Sequence, residues 1–236
     1  MSASDPVTII TGAGSGIGRS LAILLAAKGH QVALAGRTQS KLEETGRLCA
    51  ESRGLLIHPT DLRDERSATT LVSDVVARWG RVDNLVNCAG VAPLAPIDRT
   101  TDQLLHDTFA VNAIGPAHLM IQCWPHFKSQ KFGRIVNVST MGTTDPFAGF
   151  FAYAASKSAL DSMTRSAAKE GLRFGIKVFG VNLGAVETPM LRSNFSEKVL
   201  PHDRTLSPEF VANAIFECLN GTRDADNGRC IALPSP

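Results

Sequence analysis

One tyrosine and one lysine are spaced so that both can act on the same proton. Tyr153 is the only tyrosine of the chain, and Lys157 follows it by four residues. On a helix, this spacing brings both head groups to one small volume, although it also occurs on ordinary surface helices. A positive charge about 4 Å from the phenol, at an effective dielectric near 20, is worth about 4 kcal/mol, enough to lower the tyrosine pKa well below its usual value near 10. We therefore predict that Tyr153 is a general acid and base assisted by Lys157.

Two further segments are predicted to reach the same place. Ser139 stands 14 residues before Tyr153, just after the predicted strand 134–138. Ligands bind at the carboxyl ends of strands in open α/β sheets, so we expect the Ser139 hydroxyl to face a crevice there, the alternative being that it caps a turn. Asn87-Cys88-Ala89-Gly90 ends another predicted strand at the same edge. Gly90 would let the backbone pass close to a bound cofactor.

Hydrophobic periodicity indicates the elements that must position these groups. Short β-branched runs alternate with longer amphipathic segments, which predicts an α/β fold: a doubly wound, Rossmann-type, parallel seven-stranded sheet with helices on both faces. The predicted strands are 7–10, 31–35, 55–58, 85–86, 134–138, 177–181 and a last strand near 230–233. The predicted helices are 17–27, 41–51, 65–79, a long one within 102–127, 153–174 and 208–219. We expect a single domain over residues 1–236, with 185–207 as a mobile substrate lid.

The first predicted strand runs into a glycine-rich turn. Thr11-Gly12-Ala13-Gly14-Ser15-Gly16-Ile17-Gly18 leads into the first predicted helix. Its T-G-x-x-x-G-x-G spacing makes Gly12, Gly16 and Gly18 the important positions. Glycines let backbone approach a pyrophosphate, and the start of a helix attracts its charge. The alternative is an ordinary tight turn, but the strand before it and the helix after it favour dinucleotide binding.

The end of the second predicted strand bears on the choice of cofactor. Arg37 stands where an NAD-binding protein would carry an acidic residue for the ribose 2′-hydroxyl, and no acidic residue appears before Glu43. An arginine can bind a 2′-phosphate, whereas a carboxylate would repel it. We therefore predict NADP(H) rather than NAD(H). Asp61 either bonds the adenine amino group or caps a helix, and both readings stay open.

In this order and spacing, the motifs resemble those of the short-chain dehydrogenase/reductase family in its short, single-domain form. The resemblance extends from the first strand to about Thr188 and also includes Val111-Asn112 and Asn182-Leu183-Gly184. It implies that Tyr153 is the general acid/base and that Lys157 binds the nicotinamide ribose and favours the phenolate. It also implies that Ser139 holds the substrate oxygen and that Asn112 supports a water-mediated proton relay. The cofactor-binding residues on this reading are Gly12, Ser15, Gly16, Ile17, Gly18, Arg37, Asp61, Leu62, Asn87, Ala89, Gly90, Tyr153, Lys157, Gly184, Val186 and Thr188.

Three positions depart from the family pattern. Cys88 replaces an asparagine, Leu183 replaces a proline, and the tail 232–236 lacks the frequent D-G-G ending. We expect weaker hydrogen bonding below the cofactor from the first change and a less rigid turn at Gly184 from the second. The third puts a tail-mediated tetramer in doubt. The resemblance otherwise implies dimers or tetramers through the fourth and fifth helices, and transfer of hydride on the pro-S face.

The predicted function is an NADP(H)-dependent carbonyl reductase or alcohol dehydrogenase. An apolar wall for a hydrophobic ketone, aldehyde or secondary alcohol is expected from side chains that could equally be core or oligomer contacts: Met141, Phe147, Phe150, Phe151, Met190, Leu191 and Phe195. One alternative is a non-catalytic NADP(H) sensor or scaffold of the same fold. Another is an epimerase or dehydratase, but such relatives usually add a C-terminal substrate domain, and fewer than 50 residues follow Thr188.

Composition narrows the range of partners. The 24 Lys and Arg residues nearly balance the 22 Asp and Glu residues, which does not favour a nucleic-acid or anionic-membrane partner. The start of the chain has no basic segment, and no apolar run approaches the roughly 20 residues of a membrane span. The five cysteines are odd in number and lack C-x-x-C spacing, which argues against a disulfide framework or a metal site. We expect a cytoplasmic protein that binds small molecules and copies of itself.

Overall fold

The fold is built on a parallel sheet of seven strands, as the periodicity predicts. The computed structural model describes residues 5–49, 52 and 54–236. The strands are β1 (Val7–Thr11), β2 (Gln31–Gly36), β3 (Gly54–Pro59), β4 (Asn84–Asn87), β5 (Gly133–Thr140), β6 (Ile176–Leu183) and β7 (Cys230–Leu233). The helices are α1 (Gly16–Ala27), α2 (Gln39–Leu48), α3 (Glu65–Trp79), α4 (Asp102–Phe109), α5 (Gly115–Gln130), α6 (Phe151–Gly171), α7 (Pro189–Asn194) and α8 (Pro208–Leu219).

The order of the strands creates a crevice at one edge of the sheet. The strand order across the sheet is β3-β2-β1-β4-β5-β6-β7. Successive strands are therefore added on one side of β1 up to β3 and on its other side from β4 onwards. The loops that follow β1 and β4 lead to opposite sides and leave room for a ligand at the carboxyl edge. One apolar layer packs α1 and α8 on the sheet, with Leu21, Leu25 and Ile215 fully buried. The other packs α3 and α5, with Leu71 and Leu119 fully buried.

Several predicted bounds differ from the structure, and two of the differences affect the site. Strand β5 continues to Thr140, two residues past its predicted end, because it pairs with β6 along its whole length. The predicted long helix within 102–127 is divided into α4 and α5 by a π-helical turn, Ala110–Ile114. Such turns often occur at functional positions. Of the predicted helix 41–51, α2 ends at Leu48, and residues 50 and 51 lie outside the described residues.

The segment predicted as a lid has structure of its own. It contains α7, and its two ends are joined to each other by a short parallel bridge between Val186 and Leu206. The Asn194 amide also donates to the Ala92 carbonyl, 2.8 Å away, in the loop after β4. The segment therefore bridges the cavity mouth, and its predicted mobility stays a prediction.

Across residues 5–49, 52 and 54–236, no helix is long and apolar enough to cross a membrane. Nor does that part of the chain gather three or more His, Cys, Asp or Glu side chains into a group that can hold a metal ion.

Candidate active site

The glycine turn has a geometry that other residues would not tolerate. Gly12 and Gly16 have φ angles of 69° and 51°, in the left-handed region that favours glycine. A Cβ on Gly18 would lie 2.4 Å from the Gly12 carbonyl oxygen, and one on Gly12 would lie 2.9 Å from the Ala89 nitrogen. The backbone after β1 therefore packs against the loop after β4, and α1 begins at Gly16 with its N-terminus at the crevice. This is a cradle of the kind that a pyrophosphate needs.

Thr11 fixes the two loops to each other. Its hydroxyl accepts hydrogen bonds from the backbone nitrogens of Cys88 (3.0 Å) and Ala89 (3.1 Å). It also contacts the Val86 carbonyl at 3.4 Å. These bonds are made to the backbone of Cys88, so they do not depend on its side chain.

A single cavity of about 1040 Å³ joins the glycine turn to the predicted catalytic residues. It is large enough for a dinucleotide and part of a substrate. The predicted site residues that line it are Gly12, Ser15, Gly16, Ile17, Gly18, Arg37, Asp61, Leu62, Ala89, Gly90, Ser139, Tyr153, Lys157, Gly184, Val186 and Thr188. Asn87 and Asn112 do not line it; they are 1% and 0% exposed.

The buried Asn87 holds the strands together below the cavity. Its amide donates to the side-chain oxygen of Asn137 on β5 at 2.8 Å. Asn137 in turn donates to the Thr164 hydroxyl on α6 at 2.8 Å. The predicted contact between Asn87 and a cofactor is therefore wrong for its side chain, because that side chain is engaged inside the sheet.

The end of the cavity beside β2 and α2 carries two cations. Arg37 lines it with an exposed side chain, and Lys41, four residues later on α2, lines it too. Sequence reasoning missed Lys41, because it is the packing of α2 beside the glycine turn that brings this residue to the cavity. Asp61 forms an ion pair with Arg63 at 2.6 Å, and this hydrogen bonding, together with the charges of Arg63 and Arg37, holds the pKa of the Asp61 carboxyl below its usual value.

Asp61 does not cap a helix. The side chain that caps α3 is Asp64, which accepts from the Arg66 nitrogen at 3.0 Å. Asp61 lies outside the helix, on the cavity wall. Of its two readings, the helix cap is wrong and contact with adenine stays a prediction.

Tyr153 and Lys157 lie on α6 and both border the cavity. The Lys157 ammonium donates to the Val138 carbonyl at 2.7 Å, and burial lowers the pKa of Lys157 to about 8. Burial raises the pKa of Tyr153, while a hydrogen bond to the Thr140 hydroxyl opposes this rise. The expected lowering of the tyrosine pKa is therefore wrong, because loss of solvent around the phenolate outweighs the hydrogen bond from Thr140.

Thr140, and not Ser139, bonds the tyrosine. Ser139 lies inside β5 and is 3% exposed, and its Oγ has no hydrogen-bond partner among the described residues. Thr140 is the last residue of the strand and is only half-buried; its hydroxyl contacts Tyr153 and accepts from the Gly142 nitrogen at 3.1 Å. The predicted strand ended two residues too early, which placed the wrong hydroxyl at the crevice.

Asn112 is buried beside the cavity and holds the loop after β4 in place. On the π-helical turn, its amide nitrogen donates to the Val91 carbonyl at 2.8 Å, and its oxygen accepts from the Val91 nitrogen at 2.9 Å. The same nitrogen donates to the Ser156 hydroxyl at 3.0 Å. A Cβ on Gly90 would lie 3.3 Å from the Asn112 oxygen and 3.6 Å from the Lys157 nitrogen. Asn112 thus holds the loop after β4 against Lys157, and its part in a proton relay stays a prediction.

Aromatic side chains enclose the substrate end. The Phe150 ring lies 5.4 Å from the Tyr153 ring and 6.2 Å from the Phe195 ring, measured between centroids. Six of the seven predicted wall residues line the cavity: Met141, Phe147, Phe150, Met190, Leu191 and Phe195. Phe151 is not among the lining residues. At the rim, Phe147 is 77% exposed, an apolar surface beside the opening.

The carboxyl-terminal tail also contributes to the cavity wall. Residues 234–236 line it. The Gly184 nitrogen donates to the Leu233 carbonyl at 2.9 Å, and the Ala185 nitrogen to the Ser235 hydroxyl at 3.4 Å. A Cβ on Gly184 would lie 2.5 Å from the Ser235 nitrogen. The turn after β6 is therefore held by the tail, although Leu183 lacks the rigidity of proline.

Comparison with known proteins points to one family. The family model described as short chain dehydrogenase matches residues 6–199. A fatty acyl-CoA reductase of Acinetobacter baylyi is 36% identical over 213 residues, which cover 89% of this chain and 71% of the relative. An uncharacterized oxidoreductase of Mycobacterium bovis is 31% identical over 90% of this chain, but this chain spans only 63% of that relative's length. A solved structure of 3-ketoacyl-(acyl-carrier-protein) reductase from Brucella melitensis, complexed with NADH, has a TM-score of 0.90 at 26% identity and covers 97% of this chain and 96% of its own.

Proposed function

Because the chain belongs to the short-chain dehydrogenase family, we propose that it is an NADP(H)-dependent oxidoreductase that interconverts a carbonyl group and an alcohol. The observation that carries the proposal is the single cavity that joins the glycine cradle to Tyr153, Lys157 and Thr140. A protein that only binds the nucleotide has no need for this catalytic set.

The residues present fit a dinucleotide. The cradle at Gly12 and Gly18 would be filled by any side chain, and it lies at the start of α1, where backbone nitrogens can bind phosphate oxygens. Arg37 and Lys41 would bind a 2′-phosphate, which supports NADP(H) over NAD(H). When bound, the cofactor supplies or accepts the hydride.

The side chains of the catalytic end donate the proton and stabilise the charge that remains. In the reduction direction, Tyr153 donates its hydroxyl proton to the substrate carbonyl oxygen, and the raised tyrosine pKa keeps this proton available near neutral pH. Thr140 donates a second hydrogen bond to the same oxygen in place of its bond to Tyr153. Lys157 stabilises the phenolate that remains, because an adjacent ammonium favours the charged form. Phe150 and Phe195 keep water away from the oxygen.

The substrate is a carbonyl compound with an apolar chain. The exposed Phe147 and the other wall residues offer apolar surface from the tyrosine to the rim. Two similar proteins are named for acyl substrates, a fatty acyl-CoA reductase and a 3-ketoacyl-(acyl-carrier-protein) reductase. We therefore include 3-ketoacyl thioesters, reduced at the ketone to the alcohol, beside ketones and aldehydes with long alkyl groups. Acyl thioesters are also included, and their reduction would give the aldehyde with release of the free thiol.

The experiment that tests this function is a substrate panel followed by NADPH absorbance, with Tyr153→Phe as the matched control. The panel contains acyl-CoA thioesters, 3-ketoacyl thioesters, alkyl ketones and alkyl aldehydes of increasing chain length. We expect turnover with at least one class and a loss of about 10²- to 10⁴-fold in the variant, which retains the ring but not the proton. NADPH binding should be preserved. Turnover by Tyr153→Phe at the rate of the parent chain would refute the assignment.

The family resemblance also supports a homodimer or homotetramer. Ile121 on α5 is 60% exposed, so the helix presents apolar surface that a second copy could cover. Sedimentation velocity at micromolar concentration should show a dimer or a tetramer. A monomer at that concentration would contradict the proposal.

A further inference from the structure

A buried polar layer lies between α6 and the strands β5 and β6, beneath the catalytic lysine. Its charged members are Lys157 and Asp161, one turn apart on α6, with only 4% and 5% of their surfaces exposed. From the sheet, Ser139 and Asn182 face each other in register and are 3% and 6% exposed. A helix packed on a sheet usually places apolar residues at such positions. The catalytic mechanism gives no role to Asp161.

Burial of the lysine creates a need for an opposite charge. The Lys157 ammonium has a hydrogen bond to the Val138 carbonyl, and burial disfavours its charged form. Cys88 and Asp161 oppose this effect, since a negative charge on either acts to raise the lysine pKa. Asp161 does so across one helical turn and not by direct contact. The other titratable groups that face Lys157 are the Tyr153 phenol and the Cys88 thiol just after β4. Burial raises the pKa of the phenol and raises the pKa of the thiol to about 12, so both stay neutral. The carboxylate is therefore the anion that can balance the lysine.

The surroundings of Asp161 leave its charge only partly compensated without Lys157. One carboxylate oxygen accepts from the Asn182 amide at 2.8 Å, and the other has no hydrogen-bond partner in the described chain. The remaining titratable groups near it are Arg165 on the outer part of α6 and the Cys230 thiol on β7, which is neutral and donates a hydrogen bond to the Asp161 carboxylate. Arg165 is exposed, so its charge is screened by solvent. A buried carboxylate in this position is costly unless a buried cation balances it.

A line of hydrogen bonds connects Asp161 with the residue that contacts Tyr153. The Asn182 amide bonds Asp161 and also donates to the Thr143 hydroxyl at 3.1 Å. The Thr143 hydroxyl donates to the Thr140 carbonyl at 3.1 Å. Asp161 is thus connected to the catalytic end in two ways. Its charge acts on Lys157, and the hydrogen bonds through Asn182 and Thr143 lead to the Thr140 backbone.

We propose that Asp161 is the buried counter-ion of Lys157 and a positioning residue for the turn that carries Thr140. The carboxylate keeps the lysine protonated in a site that excludes water. Through Asn182 and Thr143, it also fixes the orientation of the Thr140 backbone. The effect on Tyr153 rests on the proposed function, whereas the pairing of Asp161 with Lys157 does not.

A double-mutant cycle on unfolding tests the pairing without any activity measurement. Asp161→Asn retains an oxygen that can accept from Asn182 and removes only the charge, and Lys157→Met retains most of the lysine's bulk. We expect Asp161→Asn to lower the urea midpoint of the parent chain and to raise it in the Lys157→Met background, where the carboxylate has lost its partner. The same change in both backgrounds would overturn the pairing. If Asp161→Asn alone does not fold, recovery of folding in the double variant supports the pairing, and no recovery contradicts it.

The pH profile of carbonyl reduction tests the effect on the site. Asp161→Asn should move the alkaline limb of kcat to lower pH by about one to two pH units, because Lys157 then loses its proton more readily. Thr143→Val breaks the hydrogen-bond line without changing any charge, so it should lower kcat and leave the limb in place. An unmoved limb in Asp161→Asn would overturn the electrostatic role. If the cycle shows coupling but neither the parent nor any variant turns over a carbonyl substrate, the proposed function fails while the electrostatic coupling of Asp161 and Lys157 stands.

Discussion

The two ends of the cavity position their groups in different ways. At the cofactor end the backbone provides the geometry, since Gly12 and Gly16 have left-handed φ angles and Gly18 packs against the Gly12 carbonyl. At the catalytic end the geometry depends on which side chain a strand presents at its last residue and on buried polar contacts behind it. A backbone that only glycine can form is visible in a sequence, whereas the direction of a side chain at a strand end is not.

The largest effect at the cofactor end should come from Gly18→Ala. The added Cβ would lie 2.4 Å from the Gly12 carbonyl oxygen, so the turn must move away from its present position. We expect a loss of about 100-fold in NADPH affinity, or about 2.7 kcal/mol, measured by fluorescence titration. Gly46→Ala is the control, because Gly46 does not line the cavity and the nearest atom to its Cβ is the Ile57 Cδ1 at 3.4 Å, at the end of a side chain. Equal losses in the two variants would show that the cradle does not depend on its backbone geometry.

At the catalytic end, Thr140→Val and Ser139→Ala form a matched pair of adjacent hydroxyl deletions. Removing the hydroxyl that holds the substrate oxygen should lower kcat by about 10²- to 10³-fold in Thr140→Val, with little change in NADPH affinity. Ser139→Ala should stay within a few-fold of the parent, because its hydroxyl is enclosed and has no partner in the described part of the chain. The reverse order of the two effects would restore the prediction made from the sequence.

Much of the fold could be predicted because its signals are local. The glycine turn needed only its spacing and the strand before it, and α3 and α8 have the bounds that periodicity and capping indicate. The error at Ser139 arose because β5 is paired along its whole length, so its end depends on β6, a strand more than 30 residues away. No local pattern contains that information.

The buried polar layer could not be predicted for a related reason. Asp161 follows Lys157 by four residues, which on a sequence is the pattern of a solvated helix face. Only the packing of α6 on β5 and β6 shows that both charges are buried. The same burial reversed the predicted direction of the tyrosine pKa, because the sequence gives charges but not the solvent around them.

A smaller effect at the cofactor end is expected from Arg37→Asp. The change removes a cation that would bind the 2′-phosphate and adds an anion that repels it, so the ratio of the NADPH and NADH dissociation constants should shift about tenfold or more toward NADH. The exposed Arg66 at the start of α3 does not line the cavity, and Arg66→Asp serves as a control for the change in net charge. If both variants shift the ratio alike, long-range charge and not contact sets the preference.

The smallest effect is a pH dependence that arises at the catalytic end alone. The pKa of Lys157 is about 8, so its charge is present below that pH and is lost as the pH rises through it. Tyr153 keeps its proton over this range because burial raises its pKa. Single-turnover reduction at saturating NADPH should therefore be about halved between pH 7 and pH 8 and fall about tenfold for each further unit. Alcohol oxidation needs the phenolate and should instead become faster with pH, whereas a reduction rate that also rises above pH 8 would mean that the charge on Lys157 does not assist the proton transfer.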